Sequence, residues 1–168
     1  MNPKLVLTIA GVGCVGKGSL IDRLQTIDHG MREHFGVIGK PNFFASRERT
    51  RSGLTAYRPR HEMFRPEYPD TIVFRWQEKD HNLIQMLYQA HPNANHRVIV
   101  LWRDPTTHQS DIERVHNTKR KVKDVWESYK KRFRPDRDHW KWQWPEGLIA
   151  ELYDSTDYTY RPMKWHEV

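Results

Sequence analysis

The chain has 168 residues, a net charge of +7, a pI near 9.6 and a mean hydropathy of −0.89, which fits one domain large enough for a real core. A single cysteine, Cys14, excludes an internal disulfide and any multi-cysteine zinc site, and the ten histidines form no recognised ligand spacing. No apolar run reaches membrane-spanning length and no signal-like segment opens the chain, so the expectation is a soluble cytoplasmic protein without membrane contact, monomeric or homodimeric.

The first element is the most informative. Leu5, Val6, Leu7, Thr8 and Ile9 form a nearly continuous β-favouring run, suited to a strand buried on both faces of a parallel sheet. Leu20, Ile21, Leu24 and Ile27 then recur at helical spacing, which predicts a helix from about Gly18 to Asp28, stopped by His29-Gly30. Between strand and helix lie Gly11, Gly13, Cys14, Val15, Gly16, Lys17, Gly18 and Ser19. A glycine-rich turn in this context lets backbone N–H groups point at phosphate oxygens, with the helix N-terminus and Lys17 adding positive charge. The spacing Gly11-x-x-x-x-Gly16-Lys17 fits the Walker A pattern, except that Gly18 stands where Ser or Thr usually follows. Lys17 is expected to be exposed, contributing charge rather than packing.

A short strand near Phe35 to Ile38 leads into a segment, about 40–69, where prolines and glycine argue against long regular structure. Residues 40–61 carry +5 and residues 114–137 carry +7, so an otherwise acidic body bears two basic segments, a pattern that marks anionic partners. In the first, arginines are interleaved with Phe43, Phe44, Tyr57, Phe64 and Tyr68. Arginine grips phosphate in forked geometry and aromatic faces stack on bases, so Arg47, Arg49 and Arg51 are candidates for binding a nucleotide or nucleic-acid acceptor.

Thr71 to Phe74 start the next strand, continued by Arg75 and Trp76, two further acceptor-binding candidates. Sites in open α/β sheets lie beyond the carboxyl ends of the strands, so Glu78 and Asp80 are candidate carboxylates for Mg²⁺ or the acceptor proton. Asp80 equally suits a cap for a helix bearing Leu83, Ile84, Leu87 and Tyr88. Arg97 to Trp102 form a clear strand closing on Asp104, the rival metal carboxylate or the residue that opens a turn. Thr106 to His116 predict a helix, and the basic stretch 114–123 a lid carrying Arg114, Lys119, Arg120 and Lys121. Val122, Val125, Trp126, Tyr129 and Phe133 then define a docking helix with Lys130, Lys131 and Arg132 toward solvent. Trp140, Trp142 and Trp144 at alternate positions either seal a core or offer a stacking platform. Pro145 to Leu152 suit a short helix and Asp157 to Tyr160 an edge strand.

The glycine loop, the Arg-rich segment after the second strand and the basic stretch after Arg114 together resemble the P-loop kinases of the nucleoside-monophosphate and thymidylate kinase group. The motif match covers residues 4–22, and Gly-Lys-Gly-Ser at 16–19 resembles the Gly-Lys-Gly-Thr ending of adenylate kinases. The thymidylate kinase Asp-Arg pair after the third strand is replaced by Gln77-Glu78-Lys79-Asp80. The resemblance implies a three-layer P-loop NTPase fold, a mostly parallel sheet flanked by helices, using ATP and Mg²⁺. It places Ser19 near the α-phosphate, and leaves the metal to ATP phosphates, water and a carboxylate elsewhere, with Ser19, Asp80 and Asp104 as the protein groups near it. The group includes small viral kinases that phosphorylate 5-hydroxymethyluracil in DNA, to which this small, basic, tryptophan-rich chain is similar in character; a viral protein would work in the host cytoplasm. The expected activity is γ-phosphoryl transfer from ATP to a nucleotide or nucleic-acid-borne acceptor, with Lys17 on the donor and Arg114, Lys119, Arg120 and Lys121 screening the transferring group. The alternatives are a kinase of free nucleoside monophosphates and a nucleic-acid-binding P-loop module without kinase activity.

Overall fold

A computed structural model of the chain describes residues 3–25, 28–39, 41–44, 70–76, 83–134 and 147–168. The elements in chain order are β1 (Leu5–Gly11), α1 (Lys17–Gln25), α2 (His29–His34), β2 (Pro41–Phe44), β3 (Thr71–Arg75), α3 (Leu83–Ala90), β4 (Asn95–Trp102), α4 (Pro105–His116), α5 (Val122–Phe133), β5 (Ala150–Asp154) and β6 (Arg161–Met163). A strand buried on both faces needs apolar residues at every position, and β1 is buried along its whole length. Val6 and Ala10 point into one core, Leu7 and Ile9 into the other. Two parallel neighbours flank it, β3 with Leu5 opposite Thr71 and β4 with Thr8 opposite Val98. The sheet order is β2-β3-β1-β4-β5-β6, parallel except for the antiparallel edge strand β6.

Helices cover both faces. Leu20 and Leu24 of α1, Met31 of α2 and Phe35 pack on Leu7, Ile9, Val73, Ile99 and Leu101. On the opposite face α3, α4 and α5 bring Leu83, Leu87, Ile112, Val125, Trp126, Tyr129 and Phe133 onto Val6, Ile72, Phe74, Val98 and Val100. The chain leaves β1 over the first face toward the β2 edge, whereas β3 to β4 and β4 to β5 cross the second face toward the other edge. Its course therefore reverses at β1, which leaves a crevice beyond the carboxyl end of that strand. Among the described residues no helix is long and apolar enough to cross a membrane.

Several local expectations change. The first helix ends at Gln25, and His29-Gly30 begins α2 instead of stopping α1, because Asp28 accepts the Met31 N–H at 3.0 Å as an N-cap. Residues 35–38 are not a strand. Phe35 turns into the core, and the backbone N–H and carbonyl of Ile38 are both taken by the Thr71 hydroxyl at 2.8 Å. The second strand is β2, inside the segment expected to be irregular; residues 40 and 45–69 lie outside the described residues. Residues 150–154 are a strand rather than a helix, since Ala150 and Leu152 enter one core and Tyr153 the other with period two. The edge strand is 161–163, while Asp157 closes a turn by accepting from the Thr159 N–H and hydroxyl. The five apolar residues of α5 are all buried as expected, and Lys131 is exposed. Arg132 instead lies over the Trp76 ring at 5.8 Å, and the Lys130 side chain is only 15% exposed. Trp140, Trp142 and Trp144 lie outside the described residues.

Candidate phosphate-binding site

The crevice beyond β1 holds the glycine loop. Gly11 ends the strand at φ +155°, where a Cβ would stand 2.7 Å from Val15 Cγ1 and 3.0 Å from the Leu101 carbonyl oxygen. Only glycine fits that turn. Gly16 takes φ +107° and Cys14 φ +64°, the latter without the freedom of glycine, so the surrounding contacts must hold the loop in place.

Those contacts fall on the carbonyls. From Gly11 to Gly16 every carbonyl has a donor: Lys17 Nζ to Gly11, the Val15 N–H to Val12 at 3.1 Å, and His108 Nε2 to Gly13 at 2.6 Å. Arg103 Nη1 donates to Cys14 at 3.2 Å and Ser155 Oγ to Val15 at 2.6 Å, while the Leu20 N–H (3.0 Å) and the Tyr160 hydroxyl (3.2 Å) share Gly16. In a planar trans peptide the C=O of one residue and the N–H of the next point in opposite directions. Holding the carbonyls of residues 13, 15 and 16 from the protein side therefore turns the amides of Cys14, Gly16 and Lys17 toward the open side. Gly18 and Ser19 add to them, because the first turn of a helix leaves its N–H groups without intrahelical acceptors. Such a concave array at a helix N-terminus suits a phosphate-sized anion.

The braces come from the ends of β4 and β5. A carbonyl only accepts, so His108 must carry its proton on Nε2, and burial holds its pKa below the ordinary histidine value. Arg103, itself buried, holds the Cys14 carbonyl and pairs with Asp111, which also pairs with Arg114 at 3.0 Å. The Arg103 and then Arg114 hydrogen bonds hold the Asp111 carboxyl below its usual range. Burial first, and then the Asp111 charge, push the Cys14 thiol up, against the pull of Arg103, Lys17 and Arg114. The field of Arg114 thus reaches the loop.

Sequence-expected residues divide as follows. Gly11, Gly13, Cys14, Val15, Gly16, Lys17, Gly18 and Ser19 form one continuous loop and helix start, with Ser19 exposed. Lys17 is buried at 5% exposure rather than exposed, folded back onto the Gly11 carbonyl. Arg114 stands near the loop with its side chain 75% exposed. Arg120 lies on the α4–α5 corner, which Gln109 clasps by donating to the Arg120 carbonyl (3.0 Å) and accepting the Val122 N–H (2.8 Å). The expected lid is, in this structure, a fastened helix corner. Asp104 caps α4, its Oδ2 accepting from the Thr107 N–H at 3.3 Å and hydroxyl at 3.0 Å. Arg75 ends β3 beside Ile9, its Nε buried with no hydrogen-bond partner among the described residues. Trp76, expected to meet an acceptor, is 1% exposed and packs edge-on against Tyr129 and Phe133, so it is a core residue. Glu78, Asp80, Arg47, Arg49 and Arg51 lie outside the described residues. Sequence reasoning missed Arg103, His108, Ser155 and Tyr160 as loop braces. Comparison of the chain with protein-family models, with curated proteins and with solved structures gave no match.

Proposed function

We propose that this chain is a P-loop phosphotransferase that moves the γ-phosphoryl group of ATP onto a nucleotide or a nucleic-acid-borne acceptor, the hydroxymethyl group of a modified DNA base being the specific acceptor to test first. The observation that carries the reading is that the Gly13, Val15 and Gly16 carbonyls are held by His108, Ser155 and Tyr160, which supports an outward direction for the amides of Cys14, Gly16 and Lys17 beyond the central strand. Lys17 releases the Gly11 carbonyl to reach a phosphate, and Arg114, held near the loop by Asp111, screens the charge that spreads over the transferring group. Arg75 at the end of β3 and the exposed Lys119, Arg120, Lys121 and Lys123 supply cations for an anionic acceptor.

Mg²⁺ fits as a companion of ATP. Among the described residues no cluster of three metal-ligating His, Cys, Asp or Glu side chains occurs, and Gly18 offers no hydroxyl, so the cation would be carried chiefly by phosphate oxygens. The exposed Ser19 hydroxyl is an oxygen donor beside the loop, the Asp104 carboxylate is engaged in capping α4, and the chemistry the cation would supply there is charge neutralisation. The test is label transfer from γ-labelled ATP to free nucleoside monophosphates, to single- and double-stranded DNA, and to DNA bearing 5-hydroxymethyluracil. Transfer to one of these, lost in Lys17→Met, is expected. A polymeric acceptor will also show binding that weakens with salt at a log–log slope near −0.7 per phosphate contact for a single strand. Absence of acceptor-dependent ADP formation with every acceptor would refute the kinase reading and leave a nucleic-acid-binding module.

A further inference from the structure

Resting on the phosphotransferase reading, we propose that His116 is a phosphate-contacting residue that completes the subsite for the terminal phosphate of ATP, over Gly13. The helix α4 lies along the loop through one stripe, His108, Ile112 and His116, spaced four residues apart so that all three share a face. The inner end of the stripe is structural: buried His108 holds the Gly13 carbonyl at 2.6 Å. The outer end is different. His116 is exposed and, among the described residues, makes no hydrogen bond or ion pair, yet its Nε2 stands 4.0 Å from the position a Gly13 Cβ would occupy.

Gly13 itself supplies the second observation. Its φ lies outside the left-handed region, and a Cβ there would meet only Ile112 Cδ1 at 3.9 Å and His116 Nε2 at 4.0 Å, ordinary van der Waals distances. The empty protein would therefore accept alanine at this position, unlike at Gly11. Glycine without a steric demand from the protein leaves a space about one methyl wide between the backbone and the imidazole nitrogen, room for a single ligand oxygen that touches both. The neighbours set its chemistry. Lys17 lies across the loop, Arg114 is two residues before His116 on the same helix, and Asp111, the acid near this gap, is already paired with Arg103 and Arg114. In this assignment the loop amides and Lys17 take the inner phosphates, and His116, on the outer side of the loop, takes the terminal one, the group present in ATP and absent from ADP.

The experiment compares equilibrium binding of ATP and ADP, each with Mg²⁺, to wild type, His116→Ala, His116→Gln and Gly13→Ala, with a thermal melt of each. A hydrogen bond to a charged phosphate corresponds to roughly a 10-fold or greater loss on removal. The expected result is that His116→Ala melts like wild type, binds ADP within about twofold and binds ATP about 10-fold more weakly, with His116→Gln intermediate, and that Gly13→Ala melts like wild type and binds ATP more weakly. Equal weakening of ATP and ADP, or unchanged ATP binding in His116→Ala, overturns the assignment of His116 while leaving the loop reading standing. Wild-type protein that binds neither nucleotide overturns the loop reading and this assignment with it.

Discussion

Ser155→Ala is the substitution that probes the loop from its least obvious side. Ser155 follows β5, is 0% exposed, and places its hydroxyl 2.6 Å from the Val15 carbonyl and 3.1 Å from the Trp102 carbonyl. A hydroxyl has one proton, so it serves the shorter contact, and the Trp102 carbonyl keeps the Ser155 N–H at 2.8 Å in any case. Alanine therefore leaves one buried acceptor, the Val15 carbonyl, without a donor. That costs about 1–3 kcal/mol of stability if the loop stays in place. The strain can be relieved by rotating the peptide between Val15 and Gly16 until the carbonyl finds water, but the Gly16 amide lies in that same plane and turns with it. Binding a phosphate must reverse the rotation, so a relief of 1–2 kcal/mol reappears as roughly a 5- to 30-fold loss in ATP affinity. Urea unfolding followed by tryptophan fluorescence gives the first quantity, and ATP titration the second. A variant whose stability falls by less than about 0.5 kcal/mol and whose ATP affinity stays within twofold of wild type would refute the claim that the braced carbonyls aim the amides.

Two other predictions follow from buried or capping groups. His91 is 1% exposed, and burial first, then the charge of His96, pull its pKa down to about 4; burial also lowers those of His96 and His108. The fold disfavours protonation of these rings relative to the unfolded chain, so their contribution to stability is complete above about pH 6.5 and is lost as pH falls, for His91 down to about 4. His91 alone accounts for about 2 kcal/mol of loss between pH 7 and 4.5, which urea midpoints over that range will read; a wild-type profile flat over this range contradicts the burial argument. For Asp104, loss of the cap in Asp104→Ala costs about 1 kcal/mol, whereas Asp104→Asn keeps an acceptor oxygen and near wild-type stability and transfer. A 10²-fold or greater fall in transfer by the folded Asn variant would make the carboxylate a metal ligand as well.

What could be read from the residues follows from how far apart the cooperating groups lie. The loop was legible because its determinants are neighbours: a buried strand, three glycines, a lysine and an amphipathic helix within residues 5–25. β4 and α5 were legible for the same reason, the one as a continuous apolar run and the other through its helical hydrophobic period. β5 was missed because Ala150 to Asp154 is short and partly polar, and only its place beside β4 makes a strand of it. The burial of Lys17 was missed because a lysine is buried by its partners, here the Gly11 carbonyl and the surrounding braces.

The braces themselves are the clearest case of what local pattern cannot carry. Arg103 reaches Cys14 across 89 residues, His108 reaches Gly13 across 95, Ser155 reaches Val15 across 140 and Tyr160 reaches Gly16 across 144. In the sequence each is a polar residue near a strand end or a turn, and nothing around it names its partner. Yet His108, Ser155 and Tyr160 decide which way the amides of Cys14, Gly16 and Lys17 face, because a peptide plane cannot turn its carbonyl inward without turning the next N–H outward, while Arg103 fixes the peptide whose N–H, that of Val15, closes onto the Val12 carbonyl. Glycine spacing thus makes a phosphate-binding loop sterically possible, and donors from the ends of β4 and β5 give it a direction. A chain with the same loop motif but apolar residues at 103, 108, 155 and 160 would satisfy the first condition, fail the second, and bind phosphate poorly.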